Sequence, residues 1–124
     1  MPPNIRNATI NDLPSIVSML ADDFLGQQRE DLAHPISANY VNAFREIEND
    51  PNNELIVAEL DGKVIGTLQL TFTPSLSYQG SKRCTVESVR VDSSLRQRRR
   101  NRRNGLLLLA LDHKPRRRLQ RCRA

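Results

Sequence analysis

Residues 54–74, ELIVAELDGKVIGTLQLTFTP, decide the fold of this chain. Two apolar runs rich in β-branched residues flank Asp61-Gly62, and such runs are typical of strands. Asp-Gly suits a type I′ turn, because both central residues of that turn take a positive φ. The stretch therefore predicts a β-hairpin.

A third strand is predicted at residues 82–92, KRCTVESVRVD. Strict alternation of side chains divides it into two faces. One face carries Cys84, Val86 and Ser88, and the other carries Thr85, Glu87, Val89 and Val91. Glu87 is then expected beside two valines, which is an unusual place for a carboxylate on a plain strand. The adjoining residues 75–81, SLSYQGS, are expected to form a turn.

The N-terminal part of the chain predicts one short strand and two helices. Residues 4–10 form the strand, and the first helix follows an N-cap at Asn11 or Asp12 and ends at Gly26. The apolar face of this helix has 3.6-residue spacing: Leu13, Ile16, Val17, Leu20 and Phe24. A polar loop leads to the second helix within residues 37–50, whose apolar side carries Tyr40, Val41, Phe44 and Ile47.

Composition limits the classes of protein to which the chain can belong. It has 124 residues, 38% of them hydrophobic and none of them Trp, which is enough for one small domain with an aliphatic core. No apolar run is long enough to cross a membrane, and the N-terminus does not resemble a secretory signal. We therefore expect a cytoplasmic protein.

Cys84 and Cys122 lack metal-ligand spacing, and Cys84 is expected to be a free buried thiol rather than a catalytic one.

Charge is strongly segregated along the chain. Residues 1–95 carry seven basic and thirteen acidic side chains, whereas residues 96–124 carry twelve basic and one acidic, so the net charge of +5 hides a basic tail. Such asymmetry is compatible with a tail that binds the phosphates of RNA or DNA. The tail has no interleaved aromatic residues on which bases would stack. Nucleic-acid binding by a non-catalytic domain is therefore an alternative hypothesis.

Taken together, the element order and three stretches resemble the GNAT N-acetyltransferase superfamily. The stretches are NATINDLPSIVSMLADDFL, NNELIVAELDGKVIGTLQLTF and VESVRVDSSLR, within residues 4–95. The resemblance implies a partial GNAT fold of the α+β class, with a β-α-α-β-β-β core and a mainly antiparallel sheet that lacks its C-terminal half. It also implies transfer of acetyl from acetyl-CoA to an amine of a small molecule or a peptide.

The resemblance assigns candidate roles to residues of the third strand and of the segment after it. Glu87 is the expected catalytic base that takes the proton of the amine, and Val89, Arg90 and Val91 are expected to bind acetyl-CoA. A glycine-rich turn for the pyrophosphate is expected at Arg96, Gln97, Arg98, Arg99, Arg100 and Asn101. Alternatively, Glu87 forms an ion pair with Lys82, Arg83 or Arg90, or lies on a solvated face of the sheet without a catalytic role. The two histidines and two tyrosines are expected to be surface and packing residues, although a tyrosine acid stays open.

The chain departs from the family at this turn, where no glycine occurs before Gly105. Glycine matters here because the backbone must approach the phosphates closely and adopt left-handed conformations. If the arginines are CGN codons, reading one base later permits Gly-Ser-Gly-Val-Gly-Ile-Gly-Glu-Met over residues 96–104. We therefore expect a frameshifted or degenerate segment after Leu95, with a candidate short helix at 105–113, and an activity that is impaired in the chain as written.

The expected organisation has two parts. Residues 1–95 form the N-terminal part of an acetyltransferase domain, and residues 96–124 form an aberrant arginine-rich segment. The expected partners are acetyl-CoA and an amine acceptor, with a homodimer as a candidate assembly and no membrane. The truncated sheet is expected to leave the third long strand as an edge, which favours self-association. A non-catalytic interaction domain of the same fold is a further alternative.

Overall fold

A computed structural model describes residues 3–22, 24–93 and 122–123 of the chain. The five strands are β1 (Asn4–Asn7), β2 (Asn53–Leu60), β3 (Lys63–Thr73), β4 (Arg83–Val91) and β5 (Cys122–Arg123). The helices are α1 (Leu13–Leu20), α2 (Phe24–Arg29), α3 (Ala38–Asn49) and the short α4 (Ser77–Gly80), and a 3-10 turn, Ile10–Asp12, precedes α1. Residues 96–121, which include most of the arginine-rich segment, lie outside the described part.

The strands form a single sheet in the order β1-β2-β3-β4-β5. Pairing is antiparallel from β1 to β4 and parallel between β4 and β5. Helices α1 to α3 lie between β1 and β2 along the chain, so helices and consecutive antiparallel strands are segregated. The predicted α+β class and the mainly antiparallel sheet are therefore confirmed.

The central hairpin has the predicted turn. Asp61 has a φ of 52° and Gly62 a φ of 79°, as a type I′ turn requires. The strands on either side pair from Leu60 with Lys63 outward. The turn predicted at residues 75–81 is also present, because Tyr78, Gln79 and Gly80 within α4 all have a positive φ.

The β4 strand does not follow strict alternation, because a bulge interrupts its pairing with β3. Gln69 pairs with Glu87 and Thr67 pairs with Arg90, so that two residues of β4 face the single Leu68. A bulge of this kind shifts the faces of every later residue by one. Cys84, Val86, Val89 and Val91 therefore pack in one apolar cluster. The predicted grouping of Glu87 with the two valines was wrong.

The first helix is shorter than predicted. The α1 helix ends at Leu20, and α2 begins at Phe24. Gly26 does not end a helix, because it lies buried inside α2, where its carbonyl accepts a hydrogen bond of 2.8 Å from the amide of Glu30. Apolar spacing continues across the break between the two helices, so periodicity alone did not reveal it. The α3 helix is confirmed, with the Ser37 hydroxyl accepting from the amide of Asn39 at its start.

A charged cluster joins β1, β2 and the start of α1. The Arg6 guanidinium contacts both carboxylate oxygens of Asp12, at 2.7 and 2.9 Å, and Oε2 of Glu59 at 2.7 Å. The amide of Thr9 also donates to Asp12 at 2.7 Å. These bonds from Arg6, and to a lesser extent from Thr9, lower the pKa of Asp12, although its burial acts in the opposite direction. The carboxylate of Asp12 thus accepts from residues that precede it in the chain. Asp12 stands at the N-cap position of α1, but its side chain forms no capping hydrogen bond there, contrary to the prediction.

The Cys84 side chain is buried, as expected, but it is disulfide-bonded and not free. Its register partner is Cys122, because β5 pairs with the beginning of β4. Disulfide bonds are rare in a reducing cytoplasm, so this bond and the expected cytoplasmic location point in opposite directions. The short β5 also covers two positions of β4, so the start of β4 is not the open edge that the sequence predicted.

Candidate active site

A mostly apolar cavity of about 140 Å³ lies between α1, α3 and the sheet. Helix α1 contacts β3 and β4, and α3 contacts β2, so the cavity is closed by both helices on one side. Its lining comes from all of these elements: Leu13, Ile16, Val17, Leu20, Tyr40, Ala43, Phe44, Ile47, Leu55, Thr67, Leu68, Gln69 and Ser88. No charged side chain of the described residues is among them. The apolar faces of α1 and α3 that were predicted from the sequence therefore line this cavity as well as contributing to the core.

The cavity has a buried floor and an exposed rim. Helix α1 and the sheet supply buried floor residues, among them Val17 and Leu68, which are 2% and 1% exposed. Thr67 is also buried, and its hydroxyl donates to the carbonyl of Ile56 at 3.1 Å, so it offers the cavity no free donor. Ala43 of α3 and Ser88 of β4 are exposed and stand at the rim. The cavity is consequently open to solvent between α3 and β4.

The bulge lies at this rim. Ser88 has a φ of 53°, a left-handed conformation that few residues other than glycine adopt. Glu87 precedes it, is exposed, and lies opposite Gln69, a lining residue of the cavity. Bulges often occur next to active sites, where they re-aim a side chain. Glu87 is thus adjacent, in register and in sequence, to two residues that line the cavity.

The carboxylate of Glu87 forms no ion pair within the described residues. Two of the cations considered as its partners are engaged elsewhere. Lys82 donates to Asn52 at 3.3 Å, and Arg90 donates to the carbonyl of Val89 at 3.0 Å. The alternative in which Glu87 serves only as half of a salt bridge to one of these two residues therefore has no support in the geometry.

A short polar network holds the side chain opposite Glu87. Gln69 Nε2 and Thr71 Oγ1 both donate to Oδ1 of Asn53, at 3.0 and 2.9 Å. Asn53 in turn donates through Nδ2 to Asp50 at 2.7 Å. Because these bonds cross from β2 to β3, they fix Gln69 at the rim next to Glu87. The sequence carried no signal for this network, since its members pair only once the hairpin has formed.

Tyr40 ties the loop after α2 to α3 at the edge of the cavity. Its hydroxyl donates to Glu30 Oε1 and accepts from the amide of Asp31, both at 2.9 Å. Partial burial is the largest influence and raises the pKa of Tyr40; the bond from the Asp31 amide lowers it, and the bond to Glu30 raises it by a smaller amount. Tyr40 is therefore a protonated donor whose hydroxyl already forms two hydrogen bonds, in addition to the packing role that the sequence predicted.

Tyr78, at 64% exposure, and His34 lie on the surface.

The candidate acetyl-CoA residues of β4 directly follow the bulge. Within the described residues β5 pairs only with Cys84 and Thr85, so from Val86 to Arg90 no strand lies along the outer edge of β4. An extended chain bearing amides fits such an edge, as an added strand would. Nε of Arg90 is also buried and has no hydrogen-bond partner in the described part, so an oxygen of a ligand would satisfy it.

The remaining candidate residues, Arg96–Asn101, lie outside the described residues, as does the candidate helix at 105–113. His113 lies there as well. The phosphate-binding role of the arginines, the frameshift and the nucleic-acid tail therefore stay predictions. Groups of three or more side chains that could hold a metal ion do not occur in the described part. No described helix has both the length and the apolar character needed to span a bilayer.

Comparisons with known proteins agree with this geometry. Residues 13–103 match the family model described as "Acetyltransferase (GNAT) family". The model therefore spans the helices, the hairpin, β4 and the beginning of the arginine run. No match was found among curated proteins.

Solved structures show the same architecture. A transcriptional regulator from Bacillus halodurans C-125 is 44% identical, with a TM-score of 0.84, and the alignment covers 97% of this chain and 79% of that one. Glucosamine-6-phosphate N-acetyltransferase from Arabidopsis thaliana has 18% identity, a TM-score of 0.73, and coverage of 99% and 81%. An aminoglycoside acetyltransferase from an uncultured soil metagenomic sample has 13% identity, a TM-score of 0.72, and coverage of 99% and 78%. The last two comparisons concern the fold alone.

Proposed function

Since this chain belongs to the GNAT family of acetyltransferases, we propose that it transfers an acetyl group from acetyl-CoA to an amine. The acceptor enters the cavity between α1, α3 and the sheet, from the side on which Glu87 lies. The observation that carries this proposal is the position of the exposed Glu87, which pairs with Gln69 and precedes Ser88, two residues that line that cavity.

The reaction requires a neutral amine and a nearby proton acceptor. The amine nitrogen attacks the carbonyl carbon of the thioester, a C–N bond forms and the C–S bond breaks. The proton of the amine passes to the carboxylate of Glu87, directly or through one water, and the leaving thiolate is finally protonated. A positioned base of this kind contributes about 10²–10⁴-fold to the rate. No covalent enzyme intermediate is needed.

Acetyl-CoA is proposed to lie along the outer edge of β4. The backbone of Val89 and Val91 is assigned to the pantetheine amides, and the Nε donor of Arg90 to one of its oxygens. Arg96–Asn101 are assigned to the pyrophosphate, where they supply positive charge without the glycines that a tight backbone nest requires. This chain is therefore expected to bind acetyl-CoA weakly, so that its activity is below that of an intact member of the family.

The proposed organisation keeps residues 1–95 as the N-terminal part of the catalytic domain and residues 96–124 as an aberrant segment. A homodimer and a cytoplasmic location are proposed with it. Within the described residues the edge of β4 beyond Thr85 has no strand neighbour, so a dimer that pairs through this edge would compete with acetyl-CoA for it.

The test measures release of the CoA thiol with a panel of primary amines at saturating acetyl-CoA. Glu87→Gln is expected to lower kcat by about 10²–10⁴-fold while acetyl-CoA binding stays the same. Glu48→Gln is the matched control, because Glu48 is an exposed carboxylate on α3 that pairs with Arg45. Equal losses in both variants, or an unchanged kcat in Glu87→Gln, would overturn the assignment of Glu87.

A further inference from the structure

We infer that the acceptor is an amphipathic primary monoamine, whose apolar group of about four to six carbons fills the cavity while its amine lies at Glu87. The inference rests on the proposed function and adds the substrate class. It follows from the contrast between an uncharged cavity and the exposed Glu87, which pairs in register with a residue of its rim.

The cavity selects for apolar groups because of its lining. Ten of the thirteen lining residues named above are hydrophobic or aromatic, and the hydroxyl of the buried Thr67 is already bonded to a carbonyl. Gln69 is held by Asn53, and the hydroxyl of Tyr40 is held by Glu30 and Asp31. A second charged or strongly polar group of the ligand that reaches the buried floor would therefore lose its hydration without finding a partner, because Ser88 and Gln69 lie at the rim.

The size of the cavity sets the size of the apolar group. Its volume is about 140 Å³, and engineered apolar cavities of about 150 Å³ bind benzene. A phenyl ring or a short alkyl chain matches this volume. Larger aminoglycoside-like or polycationic acceptors match neither the volume nor the lining.

The position of the carboxylate sets the orientation of the ligand. Glu87 is bonded in sequence to the rim residue Ser88 and pairs in register with the rim residue Gln69. A cationic amine at the rim is complementary in charge to this carboxylate, whereas the carboxylate of Glu30 near the same cavity already accepts a hydrogen bond from Tyr40. The apolar group then points inward, away from Glu87 and toward the buried floor at Val17 and Leu68.

The experiment measures binding of simple amines to the full 124-residue chain by calorimetry, without acetyl-CoA. Along n-propylamine, n-butylamine and n-pentylamine, Kd is expected to fall about fourfold per methylene. Putrescine, which replaces the terminal methyl of n-pentylamine by a second amine, is expected to bind at least about tenfold more weakly than n-pentylamine. Binding of putrescine as tight as that of n-pentylamine, or the absence of a chain-length trend, would overturn the inference.

Two variants locate the binding. Ala43→Leu adds a larger side chain at the rim and is expected to weaken n-pentylamine at least about tenfold. Ala38→Leu is the matched control, because Ala38 is exposed at the start of the same helix and does not line the cavity. Its affinity is expected to equal that of the original chain, and thermal unfolding verifies that both variants fold. Equal affinities in Ala43→Leu and Ala38→Leu would also overturn the inference.

Measuring release of the CoA thiol with each amine distinguishes a failure of this inference from a failure of the proposed acetyl transfer. If amines bind with the expected selectivity but release no CoA thiol, the acetyl-transfer proposal fails and the binding specificity stands. If putrescine or larger polyamines are acetylated faster than n-pentylamine, acetyl transfer stands and the proposed acceptor class fails.

Discussion

Glu87 on β4 pairs directly with Gln69 on β3, one residue before the pairing slips at Ser88. This relationship divides β4 into a part that presents Glu87 near the cavity and a part whose valines pack in the core. Before the slip, the face of Glu87 is turned toward the cavity rim, and after it Val89 and Val91 pack in the core. A regular strand would have placed the valines beside the carboxylate. The predictions below concern the elements that hold this arrangement.

The bulge depends on a left-handed residue at position 88. Ser88→Val is expected to lower the free energy of unfolding by about 1–2 kcal/mol, because a β-branched side chain is strained at positive φ. Ser88→Gly is expected to stay within about 0.5 kcal/mol of the original, since glycine tolerates this conformation. Urea unfolding measures both. Thr85→Val, an exposed change on the same strand, is the control, and a loss in it as large as in Ser88→Val would contradict the argument.

The Arg6–Asp12 pair is expected to make stability depend on acid pH. Asp12→Asn should cost about 2 kcal/mol, because it removes the negative charge and one of the two oxygens that accept from Arg6 in a partly exposed pair. Glu48→Gln, in an exposed pair on α3, should cost less than about 0.5 kcal/mol. Chemical unfolding at neutral pH compares the two.

The direction of this pH dependence follows from the pKa of Asp12, which is lowered in the folded chain. Its stabilisation is complete above the unfolded pKa of about 3.9 and is lost as pH falls through the lower, folded value. The difference in stability between the original chain and Asp12→Asn should therefore narrow below about pH 4. A difference that stays constant to pH 2 would rule out a charge-dependent role.

The type I′ turn of the hairpin is expected to tolerate only small changes at its second residue. Gly62→Ala should cost about 1–2 kcal/mol from backbone strain alone, because a Cβ there meets no atom within 4 Å. Asp61→Gly should cost less, since glycine also adopts the positive φ of that position. Thermal unfolding of the two variants measures the difference, and the reverse order would contradict a type I′ turn.

Tyr40 is expected to order the loop that follows α2. Tyr40→Phe removes both hydroxyl bonds, so the amide of Asp31 should exchange its hydrogen faster, with a loss of about 0.5–1.5 kcal/mol in stability. Because Tyr40 also lines the cavity, KM for the amine is expected to rise more than kcat falls. Amide exchange read by NMR decides the first point. Unchanged exchange at Asp31 would show that the loop is held by other contacts.

The arginine run makes a prediction about the coding DNA. If a one-base slip follows codon 95, the arginine codons of the run are CGN, and the shifted frame encodes a glycine-rich turn. Sequencing of codons 90–124 is the measurement. AGA and AGG codons there would exclude the slip, and a salt-dependent nucleic-acid binding assay of the tail would then be the next experiment.

Much of the fold could be predicted because its causes are local. Asp61-Gly62 determines the hairpin through two positive φ angles, and apolar spacing determines α3 and most of α1. The chain's resemblance to a family also selected Glu87, although the reason first given for its unusual position, a face shared with valines, was wrong. The break between α1 and α2 escaped prediction because apolar spacing continues across it.

The sequence by itself determined strands β1 to β4, the principal helices, the turn chemistry and the segregation of charge, since each depends on residues near one another along the chain, whereas β5 was not predicted. Tertiary structure decided the rest. Arg6 meets Glu59 across 53 positions, Tyr40 reaches back to Asp31, and Leu68 faces two residues of β4. These contacts depend on register and on packing between distant segments, which neither propensity nor periodicity encodes. The slip of that register at Ser88 separates Glu87 from the two valines that follow it, because Val89 and Val91 pack in the core cluster after the bulge.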